Sequence, residues 1–129
     1  MEFFETVAKR YSHRTPFLDQ PVPDADVRKI VEAGIQAPSG QNCQTTSFVV
    51  EDYAASVENM LLAATALGYA TVWMDGMTKA PAACAAIASL LHVPEGKTVR
   101  TILPLGVPAE VGEPKPRKSF EERPHYNQF

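Results

Sequence analysis

The chain has 129 residues, of which 45% are hydrophobic and 21% charged, as in an ordinary globular protein. This length fits one domain, 1–129. The formal net charge of −3 argues against non-specific nucleic-acid binding, which requires a basic surface. We expect no membrane span, because the most apolar stretch is too short and is interrupted by Thr and Gly. The start of the chain shows no signal-peptide pattern, so the expected location is cytoplasmic.

Apolar residues recur at helical spacing in four segments. Helices are predicted over Glu2–Tyr11, from Pro23-Asp24 to the loop at 37–40, from Asp52 to Gly68, and from Pro81 to about Leu91. The first has the stripe Phe3, Phe4, Val7, Ala8 and Tyr11, and the second has Val27, Ile30, Val31 and Ile35. Proline at the start and glycine after the end of such segments favour these limits.

Three β-branched or apolar runs predict strands at Thr45–Val50, Tyr69–Met74 and Val99–Val107. Tyr69–Met74 is continuous in its hydrophobicity, which is typical of a strand covered on both faces. Pro104 cannot donate a ladder hydrogen bond, so it predicts an edge or bulge. The alternation of helices and strands favours a parallel or mixed sheet with helices packed on it.

The C-terminal part, 109–129, differs from the rest. It has no apolar stripe, yet it contains Phe120, Tyr126 and Phe129 among polar residues. We expect an extended tail that docks on another surface, which in a homodimer would be the partner subunit.

Several polar segments offer binding chemistry, and each has a plain structural alternative. The cations of 9–14 could hold a phosphate, or form a solvated helix end. The small and amide residues of 37–42 could contact a flat ligand, or form an ordinary loop. Asp75-Gly76 could bind a ligand at a sheet end, and the basic residues at 115–118 could bind an anion or belong to a flexible tail.

Cysteine and histidine indicate less. The two cysteines, Cys43 and Cys84, and the three histidines lack ligand spacing, so no metal site is predicted. Catalysis through Cys84 and a histidine rests on residue type alone and is the weakest functional hypothesis.

Taken together, these segments resemble the nitroreductase family over nearly the whole chain. The matching motifs are Arg10-x-Ser12-x-Arg14, Pro21-Val22-Pro23, Glu32-Ala33-Gly34-x-x-Ala37-Pro38-Ser39-Gly40-x-Asn42-x-Gln44, Ser56–Gly68, Thr71-Val72-Trp73, Leu103-Pro104-Leu105-Gly106-x-Pro108, Arg117-Lys118 and Phe120-Glu121-Glu122. The resemblance implies an α+β fold, a mixed sheet flanked by helices, in a homodimer with two FMN molecules at the subunit interface.

By the same resemblance, four groups of residues bind FMN. Arg10, Tyr11, Ser12 and Arg14 belong to the phosphate and pyrimidine side, and Pro38, Ser39, Gly40 and Asn42 lie along the flavin ring from the other subunit. Asp75 and Gly76 present backbone N–H groups to flavin N5, and Lys115 and Arg117 close on the phosphate. No side chain is assigned as catalytic, since the flavin carries the hydride chemistry.

The implied reaction is ping-pong: NAD(P)H reduces FMN, and a small acceptor such as a nitroaromatic or a quinone then takes the electrons. The chain departs from the family just after Val50, where family members carry a few dozen more residues and Glu51 alone joins the predicted strand and helix. This predicts an internal deletion and a shortened fold. The alternative function is a truncated, non-catalytic domain that binds flavin or dimerises.

Overall fold

The computed structural model describes residues 2–37 and 50–119, with only the backbone described at 50–53. The elements in chain order are α1 (Phe3–Lys9), α2 (Asp24–Ile35), α3 (Val50–Ala66), β1 (Ala70–Thr71), a 3-10 turn (Met77–Lys79), α4 (Pro81–Leu90) and β2 (Leu105–Gly106). This mixture of helices with a small sheet confirms the predicted α+β class. No helix within these ranges is long and apolar enough to cross a membrane.

Helices α2 and α3 pack against each other and form most of the core. The buried apolar side chains in the described ranges are Ile30, Val57, Leu61, Ala64 and Ala70. The helices approach closely at Gly34, where an added Cβ would lie 2.8 Å from Met60 Cγ. Asn59 Nδ2 donates a 3.0 Å hydrogen bond to the Ala33 carbonyl across the same contact. The family-like segments 32–34 and 56–68 therefore meet in one seam.

Within the described residues, the sheet pairs over a shorter length than the sequence predicts for Tyr69–Met74 and Val99–Val107. Ala70 pairs with Gly106 and Thr71 with Leu105, and an isolated bridge joins Met74 to Ile102. The second and third predicted strands thus persist as fragments, and Pro104, which has no N–H to donate, lies at the break between the bridge and β2. Ala70 and Thr71 are both buried, as predicted for a strand covered on both faces.

The pairings that the structure describes are antiparallel, so of the two arrangements that the element order favoured, parallel or mixed, they agree with the mixed sheet. The chain leaves the ladder after Met74, passes through the 3-10 turn and α4, and returns at Ile102 in the opposite direction. The segment between Met74 and Ile102 is therefore a long connection between antiparallel partners and not a crossover between parallel strands.

Helix α1 does not turn its predicted apolar stripe towards the core. Phe3 is 62% exposed, Phe4 84% and Val7 47%, whereas Thr6 is buried. The Thr6 hydroxyl tolerates burial because it donates a 2.9 Å hydrogen bond to the Glu2 carbonyl. The periodicity of α1 was correctly predicted, but its apolar face is left on the surface of the chain.

One prediction is wrong by a few residues at the start of α3. Val50 was assigned to a strand, but it lies in the helix, which begins two residues before the predicted Asp52. A β-branched residue is only slightly unfavourable in a helix, so helical continuity overrides its strand preference. Residues 45–49 of that predicted strand lie outside the described residues.

Candidate functional site

The end of α1 carries the first predicted binding motif. Arg10 caps the helix, and its backbone N–H donates a 3.0 Å hydrogen bond to the Thr6 carbonyl. The chain then leaves the helix in an extended conformation, and Ser12 and Arg14 are exposed. The backbone N–H of His13 donates to the Thr71 carbonyl at 2.9 Å, which fixes the motif to β1. A helix end and a strand therefore hold this loop at two points.

Arg10 is the half-buried cation of the motif. Its side chain is 21% exposed, and its Nε lies 3.4 Å from Oε1 of Glu58, whose side chain is 48% exposed. Glu58 lies on α3 between the buried residues Val57 and Leu61. The ion pair thus connects the motif to the most buried helix of the fold.

Aromatic rings fill the interior side of the loop. The rings of His13 and Phe17 stack with centroids 4.5 Å apart, and the Tyr11 ring meets His13 edge-on at 6.0 Å. Within the described part of the chain, the buried atoms Tyr11 Oη, His13 Nδ1 and Thr71 Oγ1 have no hydrogen-bond partner. Buried polar atoms are paired in nearly all folded proteins, so these three atoms set the loop apart as a place of unmet hydrogen-bonding capacity.

The C-terminal tail returns to this loop. A Cβ at Gly112 would lie 2.6 Å from Tyr11 Cε2, so the tail backbone rests directly on the tyrosine ring. Lys115 and Arg117 follow within five residues and are exposed. This contact brings the second basic segment of the sequence to the neighbourhood of the first, within one chain.

Asp75 and Gly76 come directly after the Met74–Ile102 bridge. Asp75 Oδ2 lies 2.8 Å from Lys79 Nζ, and this hydrogen bond and charge lower the pKa of the Asp75 carboxyl. The Thr78 hydroxyl shares its one proton between the Asp75 carbonyl at 2.9 Å and the Arg100 carbonyl at 2.6 Å. The turn is thus held in place, while Gly76 is exposed at its start.

The structure therefore attaches the 10–14 loop to α1 and β1 and lays the tail backbone at Gly112 on Tyr11. It places Asp75 and Gly76 in the turn that follows the Met74–Ile102 bridge. The fourth group, Pro38, Ser39, Gly40 and Asn42, lies outside the described residues.

Sequence reasoning assigned no role to Glu58 or to Thr71, although both lie in family-like segments. Glu58 pairs with Arg10, and Thr71 receives the backbone hydrogen bond of His13. Both partnerships join residues that are distant in the chain, and no spacing rule signals such a contact. Only the tertiary structure could identify them.

Comparison with family models gives a match to the Nitroreductase family over residues 7–53 and 50–107. The two matched stretches meet at 50–53, where the sequence analysis predicts an internal deletion. A protein of Archaeoglobus fulgidus, provisionally named an NADH dehydrogenase/NAD(P)H nitroreductase, is 25% identical over 138 residues, with 73% of this chain and 79% of that protein covered. The aligned stretch is longer than this whole chain, so the relative has residues there that this chain lacks.

Solved structures show the same fold. A protein of Parabacteroides distasonis with the same provisional name superimposes with a TM-score of 0.86 at 20% identity, covering 98% of each chain. A nitroreductase of Bacteroides fragilis with bound FMN superimposes with a TM-score of 0.79 at 22% identity, covering 99% of this chain and 100% of that one.

Proposed function

The chain belongs to the nitroreductase family, and from this premise we propose that it is an FMN-dependent oxidoreductase acting between NAD(P)H and a small organic acceptor such as a nitroaromatic or a quinone. When bound, FMN supplies the hydride chemistry, so the protein need not provide an acid or a base. The single observation that carries the proposal is the cationic loop at the end of α1, with the basic tail returning over Tyr11. FMN requires two things of a binding site, a place for its phosphate and polar groups around its flavin ring.

The first requirement is a site for a phosphate dianion. Arg10, Arg14, Lys115 and Arg117 offer guanidinium and ammonium donors, and Ser12 offers a hydroxyl. Arginine forks match phosphate oxygens, and charge-assisted hydrogen bonds of this kind are shorter and stronger than neutral ones. The close tail contact at Gly112 supports the idea that both basic segments serve one anion.

The second requirement is a set of polar groups around the flavin ring. The 10–14 loop is proposed also to reach the pyrimidine side, where a cation stabilises negative charge at N1 and O2. Asp75 and Gly76 are proposed to offer backbone N–H groups to N5, and the hydrogen bonds of Thr78 keep that turn in place. Pro38, Ser39, Gly40 and Asn42 are proposed to reach the ring from a second subunit.

A site that is shared with a second subunit requires the protein to be a homodimer. The exposed apolar side chains of α1, among them Phe3 and Phe4, support this part of the proposal because a large apolar surface is costly to leave in water. A homodimer is expected in light scattering coupled to size-exclusion chromatography. A monomer at all concentrations, together with normal FMN binding, would contradict the shared site.

A second function is favoured by one finding, the two-part family match that meets at 50–53. The loss of residues at this point would leave less of the protein to cover the flavin. The chain would then bind FMN or dimerise without turnover. Reduction of bound flavin by NAD(P)H, followed by its reoxidation by a nitroaromatic or a quinone, separates the two functions.

The test is a fluorescence titration of the purified protein with FMN and with riboflavin, which lacks the phosphate. Wild type is expected to bind FMN more tightly than riboflavin. Arg14→Ala removes an exposed cation and should weaken FMN binding by about tenfold to hundredfold, the equivalent of one charge-assisted hydrogen bond of about 1.5–3 kcal/mol. Arg28→Ala is the matched control, since Arg28 is an exposed arginine of α2 paired with Glu32. A wild-type protein that binds neither flavin refutes the proposed function.

A further inference from the structure

The ion pair between Arg10 and Glu58 differs in kind from the other ion pairs of the described residues. The ion pairs of Glu5, Asp26, Arg28 and Asp75 join side chains three or four residues apart on one helix or turn. Arg10 and Glu58 instead belong to different elements, and Glu58 is carried by the helix that contains the core residues Val57 and Leu61. A carboxylate on this helix therefore fixes a cation of the predicted phosphate site.

We propose that Glu58 is a positioning residue, which orders the Arg10 side chain so that its guanidinium is in place when a flavin phosphate arrives. This inference rests on the proposed function. The contact runs through Nε, and an arginine has further N–H donors on its two Nη atoms for an anion. A long arginine side chain loses conformational freedom when it binds a ligand, and an ion pair formed beforehand reduces that loss.

The same carboxylate also has an unfavourable effect, because its negative charge repels a phosphate. Glu58 is about half exposed, so water and salt screen this repulsion over the distance from Arg10 to the ligand. The ordering of Arg10 acts through a direct contact of 3.4 Å, which screening weakens less than the repulsion over the longer distance to the ligand. We therefore expect the positioning effect to exceed the repulsion.

The experiment compares the dissociation constants of FMN and riboflavin, measured by flavin fluorescence, for wild type and four variants. Glu58→Ala should weaken FMN binding by about two- to tenfold and leave riboflavin binding unchanged. Glu58→Gln keeps the length and one oxygen of the side chain but removes its charge, so its FMN affinity should lie between those of wild type and Glu58→Ala. Glu32→Ala, which removes an exposed ion pair on α2, should change neither value.

The fourth variant, Glu58→Lys, separates positioning from simple electrostatics. A lysine repels Arg10 and disorders it, so positioning predicts weaker FMN binding, whereas simple attraction of the phosphate predicts tighter binding. Thermal unfolding without flavin checks that each variant is folded.

Each remaining outcome has a definite meaning. Tighter FMN binding by Glu58→Ala or Glu58→Lys overturns the inference, as does an FMN affinity that Glu58→Ala leaves unchanged. Equal losses for FMN and riboflavin indicate a general structural role and also overturn it. In all these cases wild type still binds FMN and the proposed function stands. A wild-type protein that binds neither flavin refutes the proposed function, and the inference with it.

Discussion

Gly34 lets helix α2 approach helix α3 closely, and Gly34→Ala should destabilise the protein although alanine is the better helix former. The added Cβ would lie 2.8 Å from Met60 Cγ, 3.0 Å from Met60 Sδ and 3.3 Å from the Ser56 carbonyl oxygen. Overpacking of this kind costs about 1–3 kcal/mol, against a propensity gain of about 1 kcal/mol. Met60 must move to admit the new Cβ and gives up part of its packing between the helices, whereas the 3.3 Å contact to Ser56 needs a shift of only a few tenths of an ångström. A net loss of about 1 kcal/mol follows.

The same reasoning predicts a change of sign in a Met60→Ala background. With the methionine side chain removed, only the 3.3 Å contact to Ser56 remains. Gly34→Ala should then be neutral or should stabilise by up to about 1 kcal/mol through helix propensity. The coupling between the two sites is therefore expected at about 1–2 kcal/mol, in the range measured for residues in direct contact.

Urea unfolding of the four proteins in this double-mutant cycle measures the coupling, with thermal unfolding as a second readout. A loss of 1 kcal/mol corresponds to a fall in Tm of about 4 °C for a domain of this size. Ala86→Gly, at an exposed position of α4, is the control that reports propensity without packing. A stabilised Gly34→Ala in the wild-type background, or a coupling near zero, would refute the close approach of α2 and α3 at this point.

Two further predictions concern the edges of the fold. The hydrogen bond from Lys29 lowers the pKa of the Asp26 carboxyl in the folded state. The stability that the ionised Asp26 contributes to the fold is therefore present above about pH 4 and is lost as the pH falls through the folded pKa. Wild type should therefore exceed Asp26→Asn in Tm at neutral pH, with the difference closing in acid; a difference that widens in acid contradicts this. Gly112→Val should push the tail away from the Tyr11 ring. Limited trypsin digestion should then show faster cleavage within 115–118, and a flavin titration should show weaker FMN binding. Unchanged cleavage would argue against the tail contact.

Local sequence patterns predicted the helices well. Pro81 begins α4 as predicted, and α2 begins at Asp24 directly after Pro23. These signals act within one turn of chain, through proline geometry and the spacing of apolar residues. The strands were harder to predict, because a strand forms only when it pairs with a segment far along the chain. At Pro104 this pairing is interrupted, since proline has no N–H to donate.

The candidate site shows the same division. Its motif residues were read from the sequence by family resemblance, including Arg10, Ser12, Arg14 and the turn at 75–76. The arrangement of these residues in space could not be read from the sequence, because the tail contact at Gly112 depends on the course of the backbone over many residues. The outward direction of the α1 stripe was also unpredictable, since periodicity identifies an apolar face but not the surface that covers it.

By itself, the sequence determined the helical segments through residue types at short, fixed spacings, and it determined the family through its motifs, whose resemblance to that family in turn implied the α+β class. Only the tertiary structure decided that Arg10 meets Glu58 and that β1 and β2 run antiparallel. The physical reason is that contacts between distant residues form only after the whole backbone has been placed. Their free energies come from packing and charge in three dimensions, which no local pattern encodes.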